Sequence, residues 1–594
     1  MRKILTAIIF LCALTISAPA AERPNVILIL ADDLGWADLG CYGSKYHRTP
    51  HLDRFAASAA RITQAYACPV CSPTRAELMT GQYSARLNLT TFLPGRPDRP
   101  DQKLLHPVIN QQLPRVPTLP AALRAAGYVT GHIGKWHLGG KGSAPTDHGF
   151  DSNVAGDQAG SPRSYFAPFK SGSGQFIPGL EQADDGEYLT DRLNAEAEKF
   201  IEMNRDKPFF LYLAHYAPHI PLKAKPELIT KYQHGRPGEQ GNPIYAAMLE
   251  SLDDGVGRVL QKLDDLKLAE RTLVIFMSDN GGLSILEGPN TPATSNAPLR
   301  EAKGFLYEGG IRVPLIVRWP GVTRASSTIA APVSSIDITP TILAACGVTS
   351  EGKMDGTSFV PALRGETLNR EALYWHMPHY TNQGGKPGSA VRAGDFKLIE
   401  FLENDRRELY NLRSDLGESR NLIEANPGVA ARLHKLLDAW RQDVGAKMMK
   451  LNPDYLPNPQ AKDGNILLHA RTAEVHGIQL RFEPVPHKNT LGYWTRAEDW
   501  ASWEFTLSQP GKFTVEVLQG CGKGQGGSEV ELSVAGQSLR FTVEDTGGFQ
   551  NFKSREIGTL TLEKAGRYSL EVKPIRKAGA AVMDLRSVTL KPVK

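Results

Sequence analysis

In the N-terminal half of the chain, four apolar, β-branched runs each break off into polar residues. Asn25–Ala31 ends in Asp32-Asp33, and Tyr128–Gly134 ends in Lys135-Trp136-His137. Pro208–Ala214 runs on to His215 and His219, and Thr272–Ser278 ends in Asp279-Asn280-Gly281-Gly282. Continuous apolar runs without alternation mark strands buried on both faces. Between them, helical patterns lie at Val116–Ala126, Thr190–Asn204 and Tyr245–Leu266. This alternation predicts an α/β fold with a mostly parallel central sheet flanked by helices. Ligands of such sheets bind beyond the carboxyl ends of the strands. The four polar clusters are therefore expected to converge there.

The pattern then changes twice. From about residue 366 to 450, Leu373-Tyr-Trp-His, Ser389–Phe401 and Glu408–Leu412 read as short antiparallel strands, followed by a helix from about Gly428 to Gly445. This predicts a small α+β subdomain on the large domain, which spans 21–365. Leu451–Pro459 is proline-rich, and 451–464 reads as a linker. Beyond it, period-2 runs at Trp503–Leu507, Lys512–Val517, Glu529–Val534 and Tyr568–Val572 alternate with Gly-rich turns. They predict an all-β sandwich over 465–594.

At 594 residues, two or three domains are the prior. Hydrophobic content of 41% and charged content of 22% are those of a soluble globular protein. Residues 1–20 read as an export signal: Arg2 and Lys3 are charged, Ile4–Ile16 is apolar, and Ala18-Pro19-Ala20 is a small-residue cleavage site. The apolar run is too short to span a bilayer, and no later segment approaches that length. The mature protein is expected in the periplasm or outside the cell. Removing the signal takes the formal charge from +5 to about +3, which gives no argument for nucleic acid. Of the six cysteines, Cys12 leaves with the signal, and the remaining five are no disulfide framework. Cys41 and Cys68 read equally as a pair or as free buried thiols.

Asp32, Asp33, Asp279 and Asn280 put three carboxylates and an amide at two strand ends. Asp-Asp alone reads more simply as a helix cap or surface acid. Paired with Asp-Asn-Gly-Gly after a second buried strand, it reads as a site of hard oxygen ligands suited to Ca2+, with Mg2+ second. Cys71-Ser72-Pro73-Thr74-Arg75 precedes Ala76-Glu77-Leu78-Met79-Thr80-Gly81. Pro73 fits the first turn of a helix, which puts Cys71 near a helix N-terminus, where anions are favoured. Arg75 adds fixed positive charge. His132 and His215 read as packed beside strands, and Asp253 as structural.

Cys-x-Pro-x-Arg resembles the motif whose Cys is oxidised to formylglycine in the type I sulfatases of the alkaline-phosphatase-like superfamily. The resemblance extends from about residue 23 to about 450. It is carried in order by Asn25–Asp33, the Cys71 motif, Gly134–Gly139, Ala217-Pro218-His219, Ser278–Gly281, and Lys303-Gly304 with Tyr307–Pro314. It implies that a maturation enzyme converts Cys71 to formylglycine, and that Asp32, Asp33, Asp279, Asn280 and the modified Cys71 ligate the metal. The hydrated aldehyde would attack sulfur, with Asp279 helping to remove its proton. Lys135, Lys303 and His219 would hold the sulfate, His219 would protonate the leaving alcohol, and His137 would take the proton whose loss expels sulfate. Arg75 would orient residue 71 and balance the acids. His376 and His379, with Tyr380 and Lys386, lie where such subdomains contribute substrate contacts.

The last 130 or so residues resemble the galactose-binding-like sandwiches attached to secreted carbohydrate-active enzymes. Tyr493 or Trp494 would stack on a sugar if exposed; the competing reading, and the favoured one, puts these aromatics in the core. The expectation is an exported, calcium-dependent hydrolase of sulfate esters, acting on a sulfated carbohydrate or an aryl sulfate. The rivals are a phosphonate or phosphate monoester hydrolase of the same superfamily and a non-catalytic glycan-binding protein.

Overall fold

The four apolar runs are neighbouring strands of one sheet. The computed structural model describes residues 23–233 and 240–593, so the export segment lies outside the described residues. The long strands of the sheet are β1 (Asn25–Ala31), β2 (Ala60–Tyr66), β3 (Val129–Gly134), β4 (Phe209–Ala214), β5 (Thr272–Ser278) and β6 (Arg312–Arg318). Their spatial order is β2-β6-β5-β1-β4-β3. β1 is parallel to both β4 and β5, and β4 to β3. β6 runs antiparallel to both β2 and β5, so the sheet is mostly parallel with one reversed strand.

β1, β4 and β5 are buried along their whole length. Successive residues of β1 enter opposite cores: Ile27 and Ile29 pack on one face, Val26, Leu28 and Leu30 on the other. The helices Leu189–Met203 and Pro243–Asp265 cover the first face. The second lies under Cys71–Thr80, Leu119–Ala125 and Ile338–Cys346. The longest helix starts where Asn242 accepts the backbone N–H groups of Ile244 and Tyr245, with Pro243 in its first turn. Within it, Asp253 accepts N–H from His51 and Leu52 and so caps the neighbouring helix Pro50–Ala57.

Leu373–Met377, Gly388–Ala393, Phe396–Phe401 and Arg407–Asn411 form a second, antiparallel sheet in chain order. The helix Pro427–Val444 packs on it. The sheet is fastened to the first domain by a fully buried charge cluster. Lys397 Nζ lies 3.0 Å from Glu308 Oε1 and 2.9 Å from Glu418 Oε1. Leu451 then pairs with Leu104, and Asn452 Nδ2 donates to the Arg99 and Gln102 carbonyls. The proline-rich segment is thus laid along the 99–105 loop rather than hanging free.

The remaining chain folds as two facing antiparallel sheets, of six and five strands. Trp494 and Trp503 lie in the core between them. Trp494 is fully buried and its indole donates to the Asp499 carbonyl at 2.7 Å, which removes it as a sugar platform. Tyr493 is exposed, but the Arg481 guanidinium covers its ring at 3.5 Å. All five described cysteines are free thiols, so Cys41 and Cys68 do not pair.

The Lys397 cluster generates one prediction. Removing one partner from a buried ion cluster costs about 3–5 kcal/mol because it strands uncompensated charge. Lys397→Ala should therefore lower the thermal unfolding midpoint clearly, whereas Lys573→Ala, on an exposed pair, should leave it nearly unchanged. Calorimetry of both variants checks this, and equal midpoints would contradict it.

Candidate active site

Backbone hydrogen bonds lock the strand ends together. Asp279 N donates to Ala31 O, His215 N to Leu30 O, and Lys135 N to Ala214 O. Gly134 makes the last of these approaches feasible. Its φ is +106°, and a Cβ there would lie 1.8 Å from the Ala214 carbonyl oxygen. Asp32 and Asp33 therefore sit between Asp279-Asn280 on one side and Lys135-Trp136-His137 on the other, at the crevice beyond the strands. Asp33 and His137 both carry positive φ, 65° and 57°. Such backbone persists only where the surroundings over-determine it.

Three buried acids face three buried bases. Lys135 Nζ donates to Asp32 Oδ2 at 2.6 Å, and Lys303 Nζ to Asp33 Oδ2 at 2.8 Å. Arg75 donates to Asp279 Oδ2 through Nε and Nη2, at 3.1 and 2.8 Å, and reaches Asp32 Oδ2 at 3.5 Å. Its remaining Nη1 donates to the Lys135 carbonyl. Burial alone would raise the Asp33 carboxyl, but Lys303 and His219 outweigh it and hold it down to about 2. Burial and the neighbouring Asp32 push Asp279 up to about 6, against Arg75. Burial would likewise lower the Lys303 ammonium, and Asp33 instead raises it.

The amide of Asn280 donates to Asp33 Oδ1 at 2.7 Å and to the Gly281 carbonyl. Its Oδ1 is thereby left over. Asn280 Oδ1 and Asp32 Oδ1 are buried and receive no hydrogen bond among the described residues. Ligand atoms of Asp32, Asp33 and His219 lie within 4.8 Å of one another. Two buried oxygens without donors beside a close group of Asp32, Asp33 and His219 are what a site for a hard cation offers.

Cys71 is the first residue of the helix Cys71–Thr80, and its Sγ lies 3.3 Å from His137 Nδ1. Burial raises its thiol, with Lys135 opposing. The neighbouring side chains fix the turn: Ser72 Oγ donates to the His137 carbonyl and Thr74 Oγ1 to that of Asp279. His137 Nε2 faces the Leu93 carbonyl at 2.8 Å, and a carbonyl only accepts. The proton is therefore on Nε2, and Nδ1 presents its lone pair to residue 71. Burial, reinforced by Lys135, keeps this imidazole neutral. His219 is arranged oppositely. Nδ1 donates to the Ile220 carbonyl at 2.6 Å, and Nε2 lies 3.7 Å from Asp33 Oδ2. Burial and Lys303 lower it to about 4.

Cys71, His137, His219 and Lys303 line a cavity of about 390 Å³. Its outer walls are loop residues that the sequence did not single out: Phe92, Arg96, Ser161, Glu287, Asn382 and Gln383. No periodicity marks them; Arg96 stands in the loop Leu93-Pro-Gly-Arg-Pro and belongs to none of the motifs. Asp38 was missed too. It accepts from Gly35 N, Tyr245 Oη and Thr294 Oγ1, and holds the turn that follows Asp33.

Ten sequence-predicted residues thus come together: Asp32, Asp33, Cys71, Arg75, Lys135, His137, His219, Asp279, Asn280 and Lys303. His376 and His379 do not. His376 spends both ring nitrogens, on Ser389 Oγ at 2.8 Å and the Lys447 carbonyl at 2.9 Å. His379 Nε2 bonds Thr90 Oγ1 at 2.8 Å, and its ring packs on His106. Both are buried and absent from the wall of the Cys71 cavity. His132 bonds Asn153 Oδ1 and is packed among aromatic rings, and His215 is buried at the end of β4.

Comparison with known proteins agrees with this geometry. Residues 24–348 match the family described as Sulfatase, and 302–443 match N-sulphoglucosamine sulphohydrolase, C-terminal. Residues 483–593 match a domain of unknown function, DUF5077. A "Sulfatase" from Formosa agariphila is 33% identical over 523 residues, covering 74% of this chain and 93% of its own. The human N-acetylgalactosamine-6-sulfatase is 33% identical, covering 61% of this chain and 72% of its own. The solved structure of Ps i-CgsB in complex with k-i-k-neocarrahexaose superposes with a TM-score of 0.61 at 30% identity, covering 71% of this chain and 93% of that one. The chain belongs to the sulfatase family, and its activity is that of a sulfuric ester hydrolase.

Proposed function

We propose that this enzyme releases sulfate from a sulfated carbohydrate, with residue 71 acting as formylglycine and the acid cluster holding Ca2+. The observation that carries the reading is the lone pair of His137 Nδ1, 3.3 Å from the side chain of Cys71, beside a cluster with two undonated oxygens. Asp32, Asp33, Asp279 and Asn280 offer oxygen only, which suits Ca2+ first and Mg2+ second. Held by these residues, the ion would supply Lewis acidity toward a hydroxyl on residue 71 and toward the sulfate. A hydrated aldehyde at residue 71 supplies one nucleophilic oxygen and a second hydroxyl whose proton can be removed.

The chain's own residues divide the remaining work. Lys303 and Lys135 offer N–H groups to the sulfate oxygens and offset charge developing on them. His219 faces the cavity through Nε2. The anionic substrate raises the proton affinity of this nitrogen, and His219 donates the proton to the departing alcohol oxygen as the S–O bond breaks. His137 Nδ1 accepts the proton of the second hydroxyl; the aldehyde carbonyl re-forms and sulfate leaves. Arg75 keeps Asp279 and Asp32 in place. A sulfated carbohydrate is supported by the polar cavity rim and by the carbohydrate substrates named for the relatives. The export signal, together with the absence of any helix among the described residues long and apolar enough to cross a membrane, supports a periplasmic or secreted enzyme. A formylglycine-generating enzyme is its required partner.

Three outcomes test this. Mass spectrometry of the Cys71 peptide, from cells with the maturation enzyme, should show one sulfur and two hydrogens lost and one oxygen gained. Cys71→Ala should then abolish sulfate release, and His137→Ala should lower kcat by about 10²–10⁴-fold. An unmodified thiol with full activity would refute the nucleophile. Chelation should remove activity and lower the unfolding midpoint, with Ca2+ restoring both and Asp32→Asn weakening the restoration; a saturating ion at 100 Kd adds about 2.7 kcal/mol. Finally, kcat/KM on an aryl sulfate should exceed that on the matching aryl phosphate. A strong phosphate preference would move the chain to the phosphoester reading.

A further inference from the structure

A second cavity is larger than the one at Cys71. A cleft of about 540 Å³ opens where the catalytic domain, the antiparallel subdomain and the β-sandwich meet. One wall comes from the 99–103 loop and the segment Tyr380–Lys386; the facing wall comes from the sandwich, through Arg471, Phe482 and Asn489 among others. The two cavities share a partition. Asn382 and Gln383 line both, Leu286 lines the cleft, and Glu287 lines the Cys71 cavity. Both amides donate to the Glu287 carboxylate, Gln383 Nε2 at 2.7 Å, so the partition is a held strap.

Two features of the cleft lack internal partners. Cationic side chains outnumber acidic ones along its walls, seven to five. Most are paired: Arg99 with Asp101, Lys386 with Glu403, Arg300 with Glu301, and Arg406 with Glu408 outside the lining. Glu474 accepts from the Asn404 amide. Among the described residues, Lys103 and Arg471 make no ion pair and no side-chain hydrogen bond. They stand on opposite walls, one in the catalytic chain and one in the sandwich. In the partition, Gln383 is only 3% exposed, yet its Oε1 receives no hydrogen bond. A buried, undonated acceptor at the boundary of two cavities calls for a donor such as a sugar hydroxyl.

We propose that this cleft is a second glycan subsite, which binds an anionic, sulfated stretch of the oligosaccharide whose reacting end lies in the Cys71 cavity. Lys103 and Arg471 pair with its sulfate groups, and Gln383 Oε1 accepts from a hydroxyl of the sugar crossing the partition. The apolar faces of Phe482 and Leu286 fit the C–H faces of the rings. The sandwich thereby joins substrate recognition as one wall of a cleft, without an isolated sugar platform of its own. This rests on the sulfated-carbohydrate reading above and extends it from a single residue to a chain.

The test uses the full-length, matured protein and hexasaccharides prepared from carrageenan and from chondroitin sulfate, with their desulfated forms as controls. In a Cys71→Ala background, calorimetric titration should show at least one sulfated hexasaccharide bound, with Lys103→Ala/Arg471→Ala weakening it about tenfold, as expected for two partly exposed charge-assisted contacts. In the active enzyme, the same pair of substitutions should lower the ratio of kcat/KM on the hexasaccharide to kcat/KM on an aryl sulfate by a similar factor. Lack of binding by either sulfated hexasaccharide, equal affinity with and without the two cations, or equal binding of the desulfated forms would overturn the proposal. An enzyme that hydrolyses no sulfate ester would defeat the functional reading instead, and the titration would still decide the cleft.

Discussion

Three carboxylates and three basic side chains share one dry crevice, and their balance of charge is the constraint on which the rest of the molecule depends. Taking a carboxylate out of water is costly unless it is paired and hydrogen-bonded. Here each acid has a base of its own: Asp32 has Lys135, Asp33 has Lys303 and Asp279 has Arg75. The partners are 103, 270 and 204 residues apart in sequence. The pairs that make the crevice affordable therefore also hold five segments together, around residues 32–33, 75, 135, 279 and 303. The bases hold the acids, and one of them, Lys303, also lines the cavity beside Cys71. Structure and anion recognition are the same set of contacts, so a substitution chosen to probe one unavoidably probes the other.

What brings those segments together is strand register. β1 lies between β4 and β5 with all three carboxyl ends level, Leu30 opposite Ala214 and Ala31 opposite Ser278. The first residue after each strand emerges at the same height, and the chain turns sharply there. Asp33 and His137 accept positive φ to aim their side chains inward. The neighbouring bonds maintain that strain: Asp33 N donates to Asp279 Oδ1, and His137 N to the Asp157 carbonyl. The helix carrying Cys71 is anchored to the same two ends through Ser72 and Thr74.

This explains what the sequence could and could not tell. Acids placed directly after strands buried on both faces stand out as polar breaks in apolar runs, so the metal-type cluster was legible from pattern alone. Lys303 lies on a loop that only the family resemblance identified, and His219, which the pattern put near a strand end, took its role from that resemblance. The direction of β6 was not legible, because Arg312–Arg318 has the same burial signature run either way. The long strand Gly548–Leu562 escaped notice because much of it is exposed and polar, without clean alternation. His376 and His379 were misassigned for a different reason. A histidine's residue type does not reveal where its ring is packed: both nitrogens of His376 are engaged, by Ser389 and Lys447, and Nε2 of His379 is bonded to Thr90. The amides that do reach the cavity, Asn382 and Gln383, belong to no motif.

The division between legible and illegible residues follows a division of labour. Most groups that would move protons or bear charge near sulfur come from strand ends and one helix terminus, where the sheet fixes them; His219 and Lys303 come from loops tied just beyond strand ends, through His219 N to the Tyr216 carbonyl and Lys303 N to that of Gly282. Groups that would recognise the sugar come from loops, and the far wall of the larger cleft comes from another domain. Loops positioned by a rigid scaffold are where one chemistry is turned toward different substrates. In this chain the scaffold includes the path of the proline-rich segment, which Asn452 ties to Arg99 and Gln102. That tie lies beside the loop bearing Lys103, and Arg481 and Glu474 of the sandwich add further contacts, to the Glu418 carbonyl and the Asn404 amide. On the proposed reading, which sulfate ester is chosen depends on how three domains are held together, while the hydrolysis itself depends on where the strands end.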